Sequence, residues 1–142
     1  MKMKKTISIL FLIIVFLMGS ALASKTVPDM PRTLANARYV YVTAYDGDQF
    51  NPNLLSEDRA AISRVQGAIQ KWGKLIIVYR PQDADIILAV QSRPSEDVLA
   101  AYDAHTPDPQ IYFWRVMGRA GLQKGEIPLV VQFENAWEKL AD

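Results

Sequence analysis

The stretch YDGDQFNPN, residues 45–53, gathers more potential oxygen ligands than any other part of the chain. Asp46, Asp48, Asn51 and Asn53 are hard donors, and Glu57 is the twelfth position counted from Asp46, the span of a calcium loop. The fit is incomplete. Asn51 takes the sixth position, where the sharp turn calls for glycine, and Phe50 takes the fifth. The competing reading is a turn followed by an Asn-Pro loop, so the stretch is carried as a candidate metal site only.

Two further constellations invite acid–base chemistry. Asp83 and Asp85 form a carboxylate pair, but general acid–base work needs environments that drive two pKa values apart, and a turn supplies none. The expectation is that Asp83 or Asp85 bonds free backbone amides in the turn. His105 is the single histidine. A triad would need a nucleophile beside it, yet there is no cysteine, and Ser56, Ser63, Ser92 and Ser95 lack a nucleophile-elbow pattern. A zinc site would lack ligands as well, so His105 is expected to be a solvated loop residue. Gly118, Gly121 and Gly125 match no phosphate-binding spacing and read as a flexible connection. No catalytic residue and no cofactor are assigned. A secreted hydrolase using Asp46, Asp48 or His105, converging in one pocket, and a calcium-stabilised domain remain as alternatives.

The tryptophans offer binding in place of catalysis. Trp72 and Trp137 lie on apolar helix stripes and are expected in the core. Trp114 lies between Tyr112 and Arg115 in IYFWRVM. Core packing is its default reading, but if it faces outward with Tyr112 it can anchor a partner. Tyr112, Trp114 and Arg115 are therefore the candidate partner-binding residues.

The N-terminus has the layout of a secretory signal peptide. Lys2, Lys4 and Lys5 precede an apolar run, and Ala21-Leu22-Ala23 forms a cleavage site before Ser24. The run is shorter than a spanning helix needs, so residues 1–23 are expected to be removed, leaving no stable membrane anchor. The product would sit in the periplasm or outside the cell. Cleavage removes three of the sixteen basic residues and none of the fifteen acids, turning a formal +1 into −2. The basic character thus belongs to the leader, and no field remains to attract nucleic acid.

The elements that position these residues follow from pattern. Residues 24–36 read as an extended arm, and residues 37–142 as a single α/β domain. RYVYVTAY alternates like a strand and ends at an Asp-Gly turn. Ser56 is placed to cap a helix whose stripe is Ile62, Val65, Ile69 and Trp72, with Gly73 as its left-handed terminator. LIIVY and IILAV read as strands buried on both faces at the centre of the sheet. The short linker RPQDAD makes them antiparallel neighbours, or joins them by a single turn of helix. VLAAYD and IYFWRVM suggest a second hairpin, and Pro128 opens a terminal helix. The fold class is α/β (α+β): a mixed β-sheet in the order β-α-β-β-β-β-α with both helices packed on one face.

These residues carry a resemblance. The strand YVYV, the helix DRAAISRVQGAIQKWG, the strand LIIVYRP and DADIILAV resemble a group of small exported bacterial α/β proteins. ADIILAV is also similar to the sheet of periplasmic modules such as the TolB N-terminal domain and the curli-secretion lipoprotein family. The resemblance implies partner binding or envelope assembly, without a catalytic motif to carry over. The missing lipid-attachment cysteine departs from the lipoprotein members. The expectation is a non-catalytic exported domain with a protein or cell-envelope partner.

Overall fold

A computed structural model describes residues 27–106, 111–123 and 125–141. The proposed leader and cleavage site, arm residues 24–26, loop residues 107–110 and Lys124 lie outside the described residues.

The alternation of RYVYVTAY produces strand β1, Tyr39–Ala44. Val40, Val42 and Ala44 are buried, while Tyr39, Tyr41 and Thr43 point the other way. Helix α1, Ser56–Trp72, buries Ala61, Ile62, Val65 and Ile69 along one stripe. Its terminator is Gly73 at φ 80°, whose amide donates to the Ile69 carbonyl, a left-handed position that suits glycine. The expected cap is corrected. Ser56 is the first helical residue, Leu55 holds the cap position, and no side chain caps the end.

Strands β2, Ile76–Val78, and β3, Ile86–Ser92, both run parallel to β1 and flank it. They are joined by a single 3-10 turn, Pro81–Asp83, so the alternative of a helical turn holds and the antiparallel pairing does not. The linker carries the chain past β1, because β1 already occupies the position between them. Strands β4, Asp97–Asp103, and β5, Trp114–Gly118, complete an antiparallel meander from β3. The sheet order is β2-β1-β3-β4-β5, which places β3 at the centre and β2 at an edge, with Ile76 57 % exposed.

Helix α2, Pro128–Glu138, packs against β4, β5 and α1. Both helices cover the face formed by Val40, Val42, Ile86, Leu88, Leu99 and Val116. Trp114 and Trp72 each meet Phe133 edge to face, with ring centroids 5.6 and 6.3 Å apart, and Trp72 meets Trp137 at 5.5 Å. The arm is anchored as well: Met30 and Leu34 are buried, and the Trp114 indole donates to the Pro28 carbonyl at 2.8 Å. Among the described residues no helix is long and apolar enough to cross a membrane.

Candidate interaction surface

Two of the calcium-loop candidates, Asp48 and Asn51, turn a side-chain oxygen inward on their own loop. Asp48 Oδ1 accepts from the Phe50 amide at 2.9 Å, and Asn51 Oδ1 accepts from the Asn53 amide at 3.0 Å. The cation among the loop carbonyls is Arg59, whose guanidinium donates to the Gln49 and Asn51 carbonyls. Among the described residues no group of three or more His, Cys, Asp or Glu is placed to hold a metal ion.

Asp46 instead joins a polar clamp at the C-terminal ends of β1 and β3. Arg93 bridges Asp46 at 3.1 Å and Asp58 at 2.9 Å. Asp58 lies in the first turn of α1 and also accepts from the Ser92 amide at 2.9 Å. Asp97, fully buried, accepts from the Ser92 hydroxyl, the Arg93 amide and the Leu122 amide. Buried carboxylates persist only when bonded in this way. The clamp ties α1, β3, β4 and the loop after β5 together.

His105 lies at the other end of β1. Its Nε2 meets Asp85 Oδ1 at 3.0 Å, and Asp85 Oδ2 accepts from the Arg38 and Tyr39 amides that begin β1. Asp85 thus bonds backbone amides, but those of a neighbouring strand instead of its own turn. Asp83 pairs with the Arg80 guanidinium at 2.8 Å. The His105 contact, then the amides, hold the Asp85 carboxyl below the usual carboxylate range. A six-residue strand spans about 20 Å, so Asp46 and Asp48 share no site with His105. The hydrolase arrangement has no geometry here.

What remains is the sheet face away from the helices. The register builds it in rows. Val78, Tyr41, Ile87 and Tyr102 form one row, and Thr43, Ala89, Ala100 and Arg115 the next. Gln91, Val98 and Met117 form a third. Arg115 is the one charged residue at the outward positions of the five strands. Tyr102 meets Tyr112 edge to face at 6.5 Å, and the Arg115 guanidinium lies 5.8 Å over the Tyr112 ring. Beside them a hollow of about 240 Å³ is floored by Ile87 and Ala89 and walled by Thr43, Tyr45 and Tyr102. Burial, then the neighbouring Tyr45 hydroxyl, pushes the Tyr102 phenol up to about 12. Burial also raises Tyr41.

Of the three residues expected to bind a partner, the structure brings Tyr112 and Arg115 to this face and sends Trp114 into the core. Tyr112 is 48 % exposed and Trp114 0 %. The strand rule would put both on one side, but the chain bulges between them. The Phe113 amide donates to the Ala101 carbonyl while Trp114 is the register partner of Ala101, so two residues face one. Tyr41, Tyr102 and Met117 were not singled out from sequence. For Tyr41 the signal was present, because in YVYV the tyrosines fall opposite the valines.

No family model matches the chain, and no curated protein matches it. Among solved structures it is similar to the PelC dodecamer from Paraburkholderia phytofirmans. One form is 12 % identical, covering 81 % of this chain and 94 % of that one, with a TM-score of 0.41. A point variant is 13 % identical, covering 82 % and 95 %, with a TM-score of 0.38. Likeness at this level carries no argument about function or assembly.

Proposed function

We propose that this chain is an exported, non-catalytic module that binds a protein or cell-envelope partner through the open face of its sheet. The observation that supports this reading is the composition of that face. Tyr41, Tyr102, Tyr112 and Met117 surround small residues, with Arg115 the charged residue among the strand positions there. Tyrosine and arginine supply large contact area and hydrogen bonds together, which is why they dominate binding hot spots. The leader-like N-terminus supports placement outside the cytoplasm, and the resemblance to periplasmic modules supports the class of partner. The test is capture of partners by crosslinking in the native envelope, followed by affinity measurement with Tyr112→Ala and Arg115→Ala. Each substitution is expected to weaken binding about tenfold. Recovery of no specific partner, or affinity unchanged by both substitutions, would count against the reading.

A further inference from the structure

The hollow on the open face is small, and its lining narrows what can enter it. Its floor is Ile87 and Ala89, and Tyr45 and Tyr102 stand as walls with their hydroxyls side by side. An apolar cavity of about 150 Å³ takes up benzene. A space of about 240 Å³ therefore suits a single substituted ring and is too small for an added strand or helix.

The polar groups around it weigh against sugars and against ions. The Thr43 hydroxyl donates to the Ala44 and Gly47 carbonyls at 3.2 and 3.1 Å. Asp103 Oδ1 accepts from the His105 amide at 2.9 Å. These groups are engaged within the chain, so a sugar would give up water at its hydroxyls and find few partners. Charge gives no hold either. Asp103 is the charged residue of the lining, and Arg115 stands in the row of Thr43 and Ala89, so the two signs oppose. An uncharged ring meets neither penalty. The two tyrosine rings beside it favour an aromatic one, packed edge to face or offset.

We infer that the hollow receives an uncharged aromatic side chain, a tyrosine or phenylalanine, presented by the partner. Tyr102 belongs both to the hollow and to the cluster with Tyr112, so the two form one continuous surface. Aromatic anchors seated in pockets carry much of the affinity of such interfaces. The inference rests on the proposed binding role of the open face and adds what its partner must offer there.

The test needs no partner. The full chain is expressed in a bacterial host, labelled at its Ile and Ala methyl groups and titrated with p-cresol, the side-chain analogue of tyrosine, under NMR. The Ile87 and Ala89 resonances are expected to shift together, with a dissociation constant on the order of millimolar. N-acetyl-tyrosinamide, which carries the ring on a peptide backbone, is expected to shift the same resonances. Cyclohexanol and methyl glucoside are expected to bind about threefold more weakly or worse. Tyr45→Ala removes a wall at an exposed position and is expected to weaken p-cresol about fivefold. Circular dichroism checks that this variant is folded, and Lys71→Glu on the helical side is expected to change nothing. No shift at Ile87 or Ala89 up to about 20 mM p-cresol overturns the inference. So does equal affinity for cyclohexanol, and so does unchanged affinity in Tyr45→Ala. Binding of p-cresol without N-acetyl-tyrosinamide also overturns it, because the hollow would then take free ring compounds and not a side chain. A partner captured through Tyr112 while no ring binds here refutes this inference alone and leaves the proposed function standing.

Discussion

Asp97 shows how far the role of a carboxylate depends on its surroundings. Fully buried, it accepts three hydrogen bonds from two parts of the chain, Ser92–Arg93 and Leu122. Asp97→Ala leaves those donors without partners and is expected to cost about 3 kcal/mol in urea unfolding. Asp85 adds a pH dependence whose sign is fixed by its lowered pKa. Its stabilising contribution is complete above the unfolded value, about 3.9, and is lost as pH falls through the lower folded value. Asp85→Asn should therefore reduce stability at neutral pH and flatten the acid limb of the melting-temperature profile. An unaltered acid limb would show that the Arg38, Tyr39 and His105 contacts add nothing. Neither role was legible in the sequence beyond the expectation that Asp83 or Asp85 bonds backbone amides. The partners of Asp97 come from positions up to twenty-five residues away, and no spacing rule links them.

At the scale of elements, local pattern carried much. The apolar stripe of α1, its Gly73 terminator, the alternation of β1 and the Pro128 start of α2 all follow from short-range rules. Edges and centres did not. LIIVY has the composition of a buried strand, yet Ile76 faces solvent because the chain pairs β1 with β3 on its other side. Pairing is non-local, and an apolar run reads the same at an edge and at a centre. Two glycines separate packing from propensity. A β-carbon at Gly121 would run into Leu129, so Gly121→Ala is expected to destabilise by about 2 kcal/mol. A β-carbon at Gly67, inside α1, meets open space, so Gly67→Ala is expected to stabilise by about 0.5–1 kcal/mol. Thermal melts of the two variants, shifted in opposite directions, check both.

At the scale of the molecule, both helices lie on one face of the sheet, and the described residues of the other face are rich in tyrosine. A face that only met water would alternate apolar-in with polar-out. Here it offers Tyr41, Tyr102, Tyr112 and Met117 around Arg115. The bulge at Phe113 decides which aromatic side chains reach it, placing Tyr112 outside and Trp114 inside. The most direct measurement is site-specific photocrosslinking in the native envelope. The photoreactive residue is placed at Tyr112, on the open face, or at Gln70, on the exposed side of α1. Binding through the open face predicts an adduct with a distinct second protein from position 112 and none from position 70. The same adducts from both positions, or no adduct with another protein from position 112, would contradict it.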